Sequence, residues 1–212
     1  MNEQQNAFLA DSLSVMGIDL SSVQQAQLLS YLNLLIKWNG TYNLTALREA
    51  ERMISHHLLD SLSLLSFVHK AKNLLDVGSG GGMPGIPLAI ACPDIKITLS
   101  DSNSKKTAFL RQAVLELGLS NTEVVTSRVE NVNNRAFDII TSRAFAELAD
   151  FVRVTHHLLA ENGHWAAMKG IYPYEELAQL PHDITVDGVY AVDVPHIDAQ
   201  RHIVMMSVKK GA

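Results

Sequence analysis

The residues of this chain whose types and spacing could do chemistry are two acids and a cluster of glycines. Asp76 is followed by Gly78, Gly80, Gly81, Gly82 and Gly85, and Asp101 stands at the end of the next apolar run. Glycines let a backbone turn through positive φ and approach a ligand with no side chain in the way. A helix that starts after such a turn presents free N–H groups and a positive dipole end. A carboxylate at the end of the following strand adds an acceptor for hydroxyl groups. These types together describe a pocket for a nucleotide-like cofactor. Gly80-Gly81-Gly82-Met83-Pro84-Gly85 formally fits G-x-G-x-x-G, a dinucleotide fingerprint, but that match alone is weak. The register speaks against it, because Leu74-Leu75 runs directly into Asp76-Val77-Gly78-Ser79-Gly80, a D-x-G-x-G string.

The D-x-G-x-G string resembles the first motif of the class I S-adenosylmethionine-dependent methyltransferases, in which the turn packs on the methionine part of the cofactor. A second acid then holds the ribose hydroxyls, and Ile95-Lys96-Ile97-Thr98-Leu99-Ser100-Asp101 supplies it. One strand-terminating Asp is a common turn residue; the pair at this spacing favours the cofactor reading.

The elements that must position these residues alternate from Asn73 onward, strand then helix, which predicts a parallel sheet. A short strand reaches Asp76, the glycine turn follows, and a helix over 86–91 ends at Cys92-Pro93-Asp94. A strand over 95–101 leads to a helix from Ser104 to Leu117-Gly118. The strand Glu123–Thr126 opens into Ser127-Arg128-Val129-Glu130, and the strand Phe137–Thr141 into Ser142-Arg143-Ala144-Phe145. A helix from Glu147 to Leu159, a strand over 164–168 and Lys169-Gly170 complete the repeat. Strands near 184–194 and 202–208 form a closing hairpin. The expected fold is therefore α/β, Rossmann-like, with a mostly parallel seven-stranded sheet, a closing antiparallel hairpin and an N-terminal helical extension. The expected division is 1–70 for the helical region packed on the core and 71–212 for the methyltransferase domain.

The first 70 residues read as helical. Ser21 or Ser22 with Gln24 or Gln25 predicts a capping-box start. Leu28, Leu29, Leu32, Leu35 and Ile36 form an apolar stripe, and Gly40 is the expected C-cap. A second helical stretch carries His56, His57 and Asp60 on one face. No further ligand cluster accompanies them, so polar surface or packing is expected rather than a metal. The Cys92-Pro93 pair is similar to the nucleophile of cytosine methyltransferases, but it closes a crossover helix rather than a strand. A buried structural thiol is the expectation.

Bulk properties bound the class. The chain of 212 residues can hold one sizeable core, and 47% hydrophobic with 18% charged residues fits a globular protein. The opening residues lack a basic region followed by an apolar core, so no signal peptide is expected. No run of about 18 apolar residues is present, so no membrane partner is expected. A single cysteine fits a reducing cytosol and a cytoplasmic location. The net charge of −5 weighs mildly against a nucleic-acid partner, although a local basic face remains compatible with an acidic total.

Several strings occur in order: Trp38-Asn39, Tyr42-Asn43-Leu44-Thr45, His57-Leu58-Leu59-Asp60-Ser61-Leu62, the glycine turn, Asp101-Ser102, Phe109-Leu110-Arg111, Ser142-Arg143-Ala144-Phe145 and Lys169-Gly170. On these the chain resembles the RsmG (GidB) family, bacterial methyltransferases that modify guanine N7 in small-subunit (16S) ribosomal RNA. The resemblance covers nearly the whole chain. It implies S-adenosyl-L-methionine as cofactor, and 16S ribosomal RNA or a small-subunit particle as partner of a monomeric enzyme. It places cofactor contacts at Gly78, Met83, Val129, Glu130 and Arg143, to which the two-acid reading adds Asp76, Gly80 and Asp101. His56 departs from the family pattern, which usually has an Arg there.

Guanine N7 carries its own lone pair, so such a transfer needs alignment and charge tolerance rather than a general base. Arg143 and Lys169 are the expected catalytic residues, in positioning and electrostatic roles. Arg143 would organise the cofactor side and guanine O6, and Lys169 would contact phosphate or base. Phe145 is a base-stacking or a core aromatic. Lys105, Lys106, Arg111, Arg128 and Arg201 extend a basic set near the strand ends. The rival readings are a small-molecule methyltransferase on the same fold, a dinucleotide-dependent oxidoreductase and a non-catalytic RNA-binding module.

Overall fold

The computed structural model describes residues 3–47, 49–143, 145 and 147–209. Its centre is one seven-stranded sheet in the order β3-β2-β1-β4-β5-β7-β6. The strands are β1 (Asn73–Val77), β2 (Lys96–Asp101), β3 (Thr122–Thr126), β4 (Phe137–Ser142), β5 (Leu159–Lys169), β6 (Ile184–Ala191) and β7 (His202–Val208). β1 to β5 pair in parallel, and β7 runs antiparallel between β5 and β6.

Alternation along the strands separates two apolar layers, as the period of a pleated sheet requires. Leu74, Ile97, Leu99, Ile139, Ala166 and Met168 belong to one layer, and Leu75, Val77, Ile140, Trp165 and Ala167 to the other. Both faces are buried at the centre, so these strands read as continuous apolar runs.

The first layer is closed by the N-terminal helices. α1 (Glu3–Val15) and α2 (Ser22–Tyr42) are followed by α3 (Ala50–Met53), a π-helical turn over Ile54–Leu59, α4 (Asp60–Leu62) and α5 (Leu65–Val68). Leu9, Leu28, Leu32, Leu35, Leu58 and Leu62 are buried in the same cluster as Leu74 and Ile86. α6 (Gly85–Ala91) and α7 (Ser104–Glu116) complete that face. The opposite layer is covered by α8 (Leu148–Thr155), while α9 (Tyr174–Ala178) follows β5.

The expected capping box is present: the Ser21 hydroxyl accepts from the Gln24 N–H while the Gln24 side chain accepts from the Ser21 N–H. Other local expectations give way to tertiary contacts. α2 does not stop at Gly40 but runs to Tyr42, where Asn43 takes the left-handed cap and donates its N–H to the Asn39 carbonyl. Trp38 and Tyr42, one turn apart, stack with centroids 5.2 Å apart across the position where Gly40 was expected to end the helix. Ile36 is 44% exposed and lies outside the buried stripe, which instead recruits Tyr31 and Leu34. α8 ends at Thr155, well before Leu159, because a short 3-10 turn over His156–Leu158 feeds β5. β5 is correspondingly long, pairing Leu159 with Phe137 before a register shift. Cys92 is half-buried at the C-cap of α6, and burial pushes its thiol pKa up.

One contact ties the helical layer to the glycine turn. The hydroxyl of Tyr31, fully buried on α2, donates to the Gly81 carbonyl at 2.5 Å. Burial holds its pKa far above the usual tyrosine range, so it stays a donor. Tyr31→Phe leaves that carbonyl without this donor in an apolar layer. The expected loss is about 1–3 kcal/mol of unfolding free energy, measured by urea denaturation with an unchanged m-value.

Candidate active site

The glycine turn is built by hydrogen bonds from its own backbone to the ends of β1 and β2. The N–H groups of Gly78 and Ser79 donate to the Ser100 carbonyl at 2.8 and 3.0 Å. Gly80 donates to Asp101 Oδ2 at 3.0 Å, and Gly85 to Asp76 Oδ2 at 3.0 Å. Gly78 and Gly80 sit at φ +68 and +56, which favours glycine at both. A Cβ added at Gly78 would meet nothing within 4 Å and would project into open space.

That space is a cavity of about 360 Å³ at the C-terminal edge of the sheet, lined among others by Gly78, Asp101, Lys106, Val129, Glu130 and Phe145. Asp101 is nearly buried, and its carboxylate is fixed by the N–H groups of Asn103 (2.8 Å) and Gly80 (3.0 Å), one on each oxygen. Each oxygen keeps a further lone pair, so a rigid pair of acceptors is available to a vicinal diol. Val129 is buried and Glu130 exposed on the 3-10 turn over Val129–Asn131. These residues fit the nucleoside part of S-adenosyl-L-methionine.

The structure gathers Gly78, Asp101, Val129 and Glu130 around this cavity. It places Asp76, Gly80 and Met83 elsewhere. Asp76 is wholly buried, with Oδ2 on the Gly85 N–H and Oδ1 without a hydrogen-bond partner. Burial, partly offset by that N–H, raises its pKa to about 7. Its carboxylate clamps the turn from within. Gly80 acts through the N–H that holds Asp101. Met83 lies behind the turn, its Sδ 3.3 Å from Arg143 Nη2.

Arg143 and Lys169 line a second cavity, of about 390 Å³, on the same edge of the sheet together with His56, His57, Asp60 and Arg201. It lies where β4 and β5 end and β7 begins, with Lys169 opposite His202 in the ladder. The organiser here is Asp60, 5% exposed. It accepts from Arg201 Nε at 2.9 Å and lies 3.4 Å from Arg143 Nη1. Arg143 Nη1 also donates to the His56 carbonyl at 2.8 Å. That contact uses backbone, so it does not depend on which side chain stands at position 56. Lys169 Nζ pairs with Glu176 at 2.6 Å and donates to the Phe145 carbonyl at 3.1 Å. Phe145 is half-buried, packs on Phe151 with centroids 5.3 Å apart, and also lines the first cavity. The two cavities thus adjoin at the contact between Lys169 of the second and the Phe145 carbonyl of the first. Ala144 lies outside the described residues.

His57 Nε2 sits 2.7 Å from the Thr45 hydroxyl, and burial with the Arg143 charge lowers its pKa to about 4, so it is neutral at pH 7. Among the described residues no group of three or more His, Cys, Asp and Glu is placed to hold a metal ion. Of the remaining basic residues, Lys105, Arg111 and Arg128 are exposed, while Lys106 Nζ lies 3.9 Å from Asp101. The roles of Asp60 and Tyr31 were not legible beforehand. Asp60 was visible only as a polar member of a helical face, and Tyr31 stood outside the expected apolar stripe.

The strand order, the glycine turn after β1 and the acid closing β2 define a class I methyltransferase fold. Solved structures agree: a SAM-dependent methyltransferase from Aquifex aeolicus superposes with a TM-score of 0.61 at 21% identity, covering 78% of this chain and 97% of that one. A putative O-methyltransferase from Klebsiella pneumoniae superposes at 0.60 with 14% identity, covering 98% and 100%. The family described as GidB, rRNA small subunit methyltransferase G, matches residues 24–204, and the chain belongs to it. Ribosomal RNA small subunit methyltransferase G of Neisseria gonorrhoeae is 59% identical over 199 residues, 94% of this chain and 96% of that one. The protein of that name from Laribacter hongkongensis is 57% identical over 202 residues, 95% and 97% of the two chains. The chain is accordingly an rRNA methyltransferase.

Two measurements probe the site. Asp60→Ala strips the anion from two arginines whose side chains keep 26% and 22% exposure. Breaking a fully buried pair costs about 3–5 kcal/mol, and with this solvent access a loss of about 2 kcal/mol is expected in chemical denaturation. The second concerns pH. Asp76 has a folded pKa of about 7 against 3.8 when unfolded. The native state therefore binds the extra proton, and this contribution to stability is full below pH 3.8 and lost as pH rises to about 7. His57 acts oppositely, losing stability as pH falls from 6.5 to about 4. The stability of Asp76→Asn relative to wild type should thus rise steadily between pH 4 and 7, read from paired melts in one buffer series.

Proposed function

We propose that the chain transfers the methyl group of S-adenosyl-L-methionine to N7 of a guanine in small-subunit (16S) ribosomal RNA, acting as a cytoplasmic monomer on the RNA or on a ribosomal particle. The observation that carries this is the pair of adjoining cavities on one sheet edge, one with a fixed carboxylate and an open glycine, the other lined by cations. Bound in the first, S-adenosyl-L-methionine supplies an electrophilic methyl group on a sulfonium. Asp101 accepts from the ribose hydroxyls, Gly78 leaves room for the cofactor backbone, and Val129 and Glu130 flank the adenine.

The second cavity takes the base. Its carboxylate Asp60 is engaged with Arg143 and Arg201, and Glu176, behind the wall, is engaged with Lys169. Neither is free to remove a proton, and guanine N7 has none to lose. Arg143 is pre-oriented by Asp60, the His56 carbonyl and Met83. It donates to O6 and so holds the base in line, while Lys169 and Arg201 meet phosphate. Positive charge that develops on the base is offset by the carboxylates behind the cations.

The test is transfer of tritiated methyl from S-adenosyl-L-methionine to ribosomal RNA from a strain lacking this enzyme, beside a metabolite extract. Label in the RNA, mapped to guanine N7, is expected. Label in metabolites alone would sink the reading. Gly78→Ala puts a methyl group into the open space at a strained φ, and calorimetry should show cofactor affinity lost while the melting transition persists.

A further inference from the structure

The loop leaving β5 carries exposed apolar and aromatic surface that the site described above does not use. Ile171 is 77% and Tyr174 75% exposed. Single exposed apolar residues are ordinary, but these two stand within four positions of each other beside the cationic cavity. Continuity runs through packed rings. His202, on the cavity wall, meets Tyr172 edge-on with centroids 5.6 Å apart, and the Tyr172 and Tyr174 rings pack tilted with centroids 4.2 Å apart. The loop is held firmly. His202 Nδ1 is 2.7 Å from the Gly170 carbonyl, Pro173 is buried, and Glu176 ties α9 to Lys169 and to the Leu148 N–H. A ring fixed in this way loses little freedom on binding.

We propose that Tyr174, backed by Tyr172 and flanked by Ile171, is a stacking platform for an unpaired RNA base next to the modified guanine. The inference rests on the reading of RNA as substrate. Unpaired bases are recognised by aromatic side chains, and this stacking tolerates any base. Glu175 adjoins Tyr174 and is exposed, so this rim repels phosphate and accepts a base face. The phosphates then fall toward Lys169 and Arg201 inside the cavity. A docked nucleotide chain would span from cations to rings, with the guanine at the cofactor side and its neighbour on Tyr174.

The test is fluorescence anisotropy with labelled single-stranded RNA copied from the small-subunit sequence around the methylated guanine, over a salt series. Tyr174→Ala is expected to weaken binding by about tenfold, within the range that alanine substitution at base-stacking aromatics produces. The slope of log affinity against log salt should stay unchanged, because no phosphate contact is lost. Tyr174→Phe should bind as wild type, and cofactor affinity should be the same in all three proteins, which also certifies their folding. Unaltered RNA affinity in Tyr174→Ala, a changed salt slope, or a Phe variant as weak as Ala overturns the platform alone. A wild-type protein that binds and methylates no RNA overturns the functional reading and the platform with it.

Discussion

The glycine turn is held in place by acceptors at the ends of two neighbouring strands, and the cavity lined by Gly78 and Asp101 depends on that stitching. Ser100 receives the N–H groups of Gly78 and Ser79, Asp101 that of Gly80, and Asp76 that of Gly85. The register of β1 on β2, with Val77 opposite Ser100, brings these acceptors to the turn. Asp76 bears a cost for this, since a wholly buried carboxylate with one unpartnered oxygen is stabilised by protonation. That carboxylate fixes the far end of the turn at Gly85, while Gly80 and Asn103 hold the Asp101 carboxylate, one N–H on each oxygen. Tyr31 adds a clamp from the other side through the Gly81 carbonyl, so the helical layer takes part in shaping the glycine turn.

A second carboxylate does the corresponding work for the neighbouring cavity. Asp60 comes from the helical layer, yet its partners belong to the loop after β4 and to the start of β7. The π-helical turn before it matters, because π turns shift a ladder and free groups for other contacts, and the His56 carbonyl within it takes the Arg143 guanidinium. Arg143 in turn touches Met83, which leads back to the glycine turn. A chain of contacts therefore runs from Asp60 through Arg143 to Met83 behind the glycine turn.

The parts of this arrangement that were legible in the sequence are those set by local rules. A strand, an acid and a glycine turn have a fixed order, and Ser21 with Gln24 declares a helix start whatever the tertiary context. Gly40 misled because its freedom is unused: the stacked Trp38 and Tyr42 carry the helix past it to Asn43. The short helix at Tyr174 escaped notice because five residues give no period to detect. Asp60 and Arg201 are 141 positions apart, and no single-chain pattern signals a pair at that distance. Val129 and Glu130 were placed by family resemblance rather than by residue type, as a loop after a strand has no signature of its own.

The acidic total and the cationic cavity are reconciled by the same pairings. The net charge of −5 acts at long range, where salt screens it within about 10 Å. The cations that line the edge are largely matched at contact distance: Lys169 by Glu176, Arg143 and Arg201 by the shared Asp60, and Lys106 loosely by Asp101. Asp60 alone faces two arginines, so the cavity keeps an excess of positive charge that a phosphate can use only by entering. An arbitrary polyanion gains little from such a surface, since Arg143 and Arg201 are largely withdrawn from bulk solvent and already paired with Asp60. On the proposed reading, an RNA whose shape places a guanine at the methyl donor gains the full set of contacts at once. Discrimination of this kind comes from withholding general electrostatic attraction as much as from adding specific contacts.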